Sequence, residues 1–169
     1  MKKIILVILS LATVAAFAAP SEKEIVACTI LAEARGEGEA GMYAVAAVIR
    51  QRSIERGISP AKVCLQPLQF SCNNNGVQTA LLKTKQAEYA LKLANSIESI
   101  ETNFVKGANH YHTKAVKPSW SKGKTPVATI GNHVFFKLAQ YYNRAHDRRS
   151  KLPRLPRGCS SSLRVHRRA

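Results

Sequence analysis

The eight residues MYAVAAVI, Met42 to Ile49, are apolar on every side of any helix they form, and this constrains the chain more than any other segment. A helix with one apolar stripe can lie on a surface, whereas one that is apolar all round must be enclosed by other elements. The segment reads as the first half of a helix from Ala40 to Arg56, closed by Gly57. A chain of 169 residues with 46% hydrophobic residues can supply that enclosure in one domain. Such a domain buries roughly two thirds of the surface of its unfolded chain, and the composition does not favour intrinsic disorder.

Acids stand at the entrance to this apolar run. Ser21 and Glu24 form a capping box that opens a first helix, with Ile25, Cys28, Ile30, Leu31 and Ala32 as its apolar side. The helix is expected to stop near Arg35, where Gly36 and Gly38 flank Glu37. Glu33 then lies in the last turn, where exposed carbonyls and the negative helix end oppose a carboxylate. Burial beside the apolar second helix raises its pKa in the same sense. A carboxyl group protonated near neutral pH can act as a general acid on a glycosidic oxygen. The plain alternative is a solvated surface glutamate.

Glu37 is a possible second carboxylate. At a spacing of four it shares a helical face with Glu33 if the helix continues, and neighbouring carboxylates push their pKa values apart. If Gly36 breaks the helix, Glu37 is a turn acid paired with Arg35. Asp147 is the single aspartate of the chain and lies near its end. Ordinary glycoside hydrolysis uses two carboxyl groups at a controlled separation. Few second partners exist here, so one carboxyl group acting as acid and then as base fits better, with a substrate hydroxyl replacing water as nucleophile.

Further along, Ser59-Pro60 opens a short helix to about Leu65, NNNG (Asn73 to Gly76) is a turn, and Gln78 to about Ile100 reads as one helix. Ala108 to Thr113 and Ala128 to Leu138 read as strands separated by the loop KAVKPSWSKGKTP. Helices followed by a small antiparallel sheet make an α+β fold, the sheet packed beside a helical lobe. His110 and His112 point to one face of their strand, and His133 can approach from the next. Together with Glu33 the three could bind a metal such as zinc; one or two could instead be hydrogen-bonded structural histidines, or His110 and His112 could line a cleft with Tyr111. Phe70, Tyr111 and Trp120 are candidates for stacking on sugar rings, Trp120 from a loop.

The N-terminus reads as a secretory signal over residues 1–18: Lys2 and Lys3, an apolar run from Ile4 to Phe17, and a small-x-small site at Ala16-Phe17-Ala18. The run is shorter than the roughly 20 residues of a membrane span. An uncleaved anchor is the alternative. Export permits disulfides among Cys28, Cys64, Cys72 and Cys159, and the short loop CLQPLQFSC makes Cys64 with Cys72 the preferred pair. The cysteine spacing matches no zinc knuckle. The formal net charge of +16 favours polyanions, and nine bases against one acid lie from Arg144 onward. Residues 144–169 read as a basic, mobile tail after a domain over 19–143.

Four blocks, AEARGEGEAGMYAVAAVIRQR, PLQFSC, GANHYHT with PSW, and IGNHVFF, resemble in content and order the cell-wall hydrolase family typified by the spore-cortex enzyme SleB. The resemblance covers about Glu24 to Leu138. It implies a lysozyme-like α+β catalytic domain that cleaves peptidoglycan between N-acetylmuramic acid and N-acetylglucosamine. Its best-known members are similar to lytic transglycosylases, in which the muramic 6-hydroxyl attacks the anomeric carbon and leaves a 1,6-anhydro product. Glu33 matches the first glutamate of the family's EARGE motif, the acid/base. Gln69, Phe70, His110, Tyr111, His112 and Trp120 are the expected substrate contacts, with no metal and no cofactor. Where the family often has proline after the second glutamate, this chain has Gly38. The expected partners are peptidoglycan glycan strands, and anionic envelope polymers through the basic tail. A secreted or periplasmic monomer is expected, with no nucleic-acid partner. Two other readings stay open: a metal-dependent amidase or peptidase built on the histidines, and a non-catalytic basic wall-binding protein.

Overall fold

The computed structural model describes residues 19–139; the expected signal peptide, the basic tail and Cys159 lie outside them. Helix α1 spans Glu22–Ala34 and starts at the expected capping box. The Ser21 hydroxyl accepts from the Glu24 backbone N–H at 3.3 Å, and the Glu24 carboxylate accepts from the Ser21 N–H at 2.7 Å. A 3-10 turn, Arg35–Glu37, leads into α2, Gly38–Arg56. Gly38 has φ 69°, a region that glycine enters without the Cβ penalty, so the chain reverses within three residues and α2 starts earlier than expected. Gly57, with φ 61°, ends α2 and donates its N–H to Ser53 O at 2.9 Å.

Helix α2 is the centre of the core. Ala44 to Ile49 are fully buried, enclosed by α1, by α3 (Pro60–Leu65) and by α4 (Ala87–Asn95). Each of Val45, Val48 and Ile49 contributes roughly 1.5–3 kcal/mol through that burial. Ser59 caps α3 by accepting from Lys62 N–H at 3.3 Å, as the Ser-Pro pair predicts.

The single helix expected over Gln78 to Ile100 is instead three pieces, a 3-10 turn at Thr79–Lys83, α4, and another 3-10 turn at Ile97–Ser99. Two hydroxyls account for the breaks. Thr84 is extended and its Oγ1 donates to Leu81 O at 2.7 Å, and Ser96 Oγ donates to Lys92 O at 2.9 Å, where each competes with the helical backbone.

Strands β1 (His110–Thr113), β2 (Ala128–Ile130) and β3 (His133–Phe136) form an antiparallel sheet in the order β1-β3-β2. The segment expected as one strand from Ala128 to Leu138 is therefore a hairpin, turning at Gly131-Asn132 with Gly131 at φ 54°. Register decides what each face carries. Tyr111 pairs with Phe135 and Thr113 with His133, while His110 pairs with Phe136 and His112 with Val134. Tyr111, Phe135 and His133 thus share the face turned to the helices, where Phe135 is fully buried.

Candidate active site

Glu33 is half-buried in the last turn of α1. It lines a cleft of about 480 Å³ together with Ala32, Ser71, Cys72, Tyr111, His112, Thr113, Val116 and His133. The helical lobe supplies the carboxylate and the sheet supplies the opposite wall. Tyr111 donates its hydroxyl to Glu33 Oε2 at 2.8 Å, and burial with the Glu33 charge pushes that hydroxyl well above its ordinary pKa. The phenol therefore stays protonated and remains a donor.

The segment after α3 closes a third side. Asn73 donates from Nδ2 to Thr29 Oγ1 at 2.9 Å and to Cys64 O at 3.0 Å. Thr29 stands one turn before Glu33 on α1, so this amide pins the Ser71–Asn73 turn beside the carboxylate. Burial, reinforced by Glu33, pushes the Cys72 thiol up to about 12. Burial does the same to Cys64, also to about 12. Cys28, Cys64 and Cys72 are free thiols. This corrects the expected Cys64–Cys72 bond: Cys64 is sealed in the core, whereas Cys72 is turned to Glu33 in the cleft.

Glu37 has another role. Its carboxylate accepts from Asn132 N–H at 2.8 Å and from Asn132 Nδ2 at 3.2 Å, tying the turn after α1 to the β2–β3 hairpin. The backbone N–H of Asn132 is the main cause that holds the Glu37 pKa below its ordinary value. Gly131 leaves room for the contact, because a Cβ there would run into Glu37 Oε2. Glu37 is thus a latch rather than a second acid in the cleft, and Arg35 is exposed.

The other expected contacts separate by sheet face. His110 and His112 pack on Trp120 at ring distances of 5.4 and 5.5 Å, and His112 stacks on Phe136 at 5.1 Å. His112 also reaches the cleft, past the edge of β1. His110 Nδ1 donates to Asn109 Oδ1 at 2.8 Å, and burial, with Arg52 and Arg56, lowers its pKa to about 4. It lies on the side of the sheet opposite Tyr111 and is not part of the cleft lining.

Phe70 is 2% exposed and belongs to the core, with the Arg52 guanidinium 5.1 Å from its ring centre. Gln69 accepts from Arg56 Nη2 at 2.7 Å. Neither lines the cleft, which corrects their expected place in it. The alternation of side chains along β1 and β3 also keeps His133 off the face that carries His110 and His112. Among the described residues, no group of three or more His, Cys, Asp or Glu is arranged to hold a metal ion.

Ala32, Ser71, Cys72, Thr113, Val116 and His133 are the cleft residues that sequence reasoning did not place there. For His133 the Gly-Asn pair was a usable signal, since a two-residue hairpin loop fixes which face the next residue takes. For Cys72 no local pattern separates a cleft thiol from a disulfide half.

A helical lobe and a three-stranded sheet meet over a glutamate-bearing cleft in an α+β fold. The sequence matches the family model described as cell wall hydrolase over residues 36–136, and the chain belongs to that family. Among solved structures it is similar to the catalytic domain of the Bacillus cereus SleB protein, with 24% identity and a TM-score of 0.55 over 69% of this chain and 89% of that one. That likeness shows the shared fold. No curated protein matches the chain. The matched span opens at Gly36, three residues after Glu33.

Proposed function

We propose that the protein cuts peptidoglycan glycan strands between N-acetylmuramic acid and N-acetylglucosamine as a lytic transglycosylase, with Glu33 as the single acid/base. The observation that carries this reading is that Glu33 is the one carboxylate in the cleft lining among the described residues, Glu37 being held by Asn132. A two-carboxylate mechanism needs a second acid across the bond, whether about 5 Å or up to about 9 Å away. A single acid suffices when the nucleophile is carried by the substrate.

The steps balance on Glu33. Its protonated carboxyl gives the proton to the glycosidic oxygen as the bond to the anomeric carbon breaks, releasing the next sugar with a free hydroxyl. The muramic 6-hydroxyl then bonds to that carbon and returns its proton to the Glu33 carboxylate, leaving a 1,6-anhydro ring. Tyr111 holds one carboxylate oxygen, fixing the orientation of the group through both transfers. His112 at the edge of β1 is the sheet-side contact for the glycan. The basic segment from Arg144 holds the enzyme to anionic envelope polymers, and residues 1–18 direct its export. Among the described residues no helix is long and apolar enough to cross a membrane.

The test is mass spectrometry of purified peptidoglycan digested by residues 19–169, wild type beside Glu33→Gln, with and without chelator. The expected products are muropeptides ending in 1,6-anhydromuramic acid, absent with the variant and indifferent to chelator. Reducing-end sugars would require water as the nucleophile. Freed stem peptides or chelator sensitivity would overturn the glycosidic assignment.

A further inference from the structure

His133 is 3% exposed, yet it forms part of the cleft wall beside Glu33. Among the described residues its Nδ1 is buried without a hydrogen-bond partner, and its ring touches the edges of Tyr111 at 5.1 Å and Phe135 at 6.2 Å. Unpartnered buried polar atoms are uncommon because each carries an uncompensated desolvation cost. Glu37 and Glu33 both favour a proton on this imidazole, but burial outweighs them and keeps its pKa below the ordinary histidine value. The ring is therefore neutral at pH 7 and carries one proton.

The position of that proton follows from the burial. On Nδ1 it would be a sealed donor with nothing to receive it; on Nε2 the sealed atom is only a vacant acceptor, the milder fault. Nδ1 is the sealed nitrogen of the ring, and among the described residues Nε2 is not a buried, unpartnered atom, which leaves Nε2 as the nitrogen open to the cleft. We propose that His133 is a substrate-binding residue whose Nε2–H donates a hydrogen bond to a neutral acceptor oxygen of the bound sugar, an acetamido carbonyl or a ring hydroxyl, next to the bond that Glu33 cleaves. A neutral donor suits glycan oxygens, which carry no charge, and it adds no competing cation beside the Glu33 carboxylate. This inference rests on the glycosidic reading of the cleft.

The experiment compares His133→Leu, His133→Gln and Glu33→Gln for anhydromuropeptide release from purified peptidoglycan and for thermal unfolding. Leucine removes the donor together with the unpartnered nitrogen. kcat/KM should fall about tenfold or more while the melting temperature holds or rises, and glutamine, which restores an N–H donor, should recover part of the loss. Activity and melting temperature falling together in both variants would mark a purely structural histidine and overturn the proposal, as would unchanged kcat/KM in His133→Leu.

A readout on folded protein does not depend on the His133 variants. In 15N-labelled Glu33→Gln, the His133 imidazole should show the Nε2-protonated tautomer and a shifted Nε2 resonance when a peptidoglycan-derived tetrasaccharide is added. An Nδ1-protonated ring, or no shift at saturation, overturns the proposal. The two readings fail separately. An active Glu33→Gln removes Glu33 as the acid/base and freed stem peptides remove the glycosidic assignment, whereas an inactive Glu33→Gln beside an undiminished His133→Leu removes only the role of His133.

Discussion

The hydroxyl of Tyr111 donates to Oε2 of Glu33 across 2.8 Å and 78 residues of sequence, joining the edge strand of the sheet to the last turn of α1. One hydrogen bond therefore both orients the carboxyl group and fixes the width of the cleft between lobe and sheet.

Tyr111→Phe keeps the ring and its contacts with Phe135 and His133 while deleting that donor. The fold should survive, with a melting temperature within a few degrees of wild type. kcat for anhydromuropeptide release should fall about tenfold with little change in KM, because the lost contact acts on the reacting group rather than on the glycan. Separate determination of kcat and KM checks this. A change confined to KM would make Tyr111 a sugar contact instead.

The latch at Glu37 should be visible in the acid dependence of stability. Its folded-state pKa lies below the unfolded value of 4.5, chiefly through the Asn132 N–H. The stabilisation is therefore present above pH 4.5 and is lost as pH falls through the folded value. Glu37→Gln should unfold at a lower temperature than wild type at pH 7, with the two melting curves converging toward pH 3. Parallel curves across that range would mean that Glu37 does not hold the hairpin through its charge. The contact is near the surface, so the difference should also shrink with added salt.

The thiols give a third expectation. With pKa values of about 12, Cys64 and Cys72 carry a thiolate fraction on the order of one in ten thousand at pH 8. Iodoacetamide should leave both unlabelled in the native protein and label both in denaturant, as read by peptide mass spectrometry. Recovery of a linked Cys64–Cys72 peptide from unreduced protein would contradict the free-thiol arrangement.

Sequence reasoning reached the features that short-range chemistry sets. The capping box at Ser21, the Ser59-Pro60 helix start, the Gly57 stop and the all-round burial of Ala44 to Ile49 each follow from a few adjacent residues. Glu33 at the end of α1 followed as well, because its place depends on where one helix stops. What escaped depends on residues far apart. The partners of Glu33 and Glu37 lie on a sheet whose register decides them, and the same register places His110 away from the cleft and His133 within it. Phe70 reads as a possible sugar platform until the packing around Arg52 claims it. The hairpin at Gly131-Asn132 escapes because the apolar residues on either side of the Gly-Asn pair read together as one strand.

The Glu37–Asn132 contact also sets an order of events. It spans 95 residues and joins the turn just after the acid-bearing helix to the last hairpin of the described chain. A chain made or threaded from its N-terminus presents Glu33 long before the strand that carries His133, and until that hairpin docks the carboxyl group has no facing wall. The proposed site is thus completed by the last described strand to emerge, so a chain cut before His133 holds Glu33 without its facing wall.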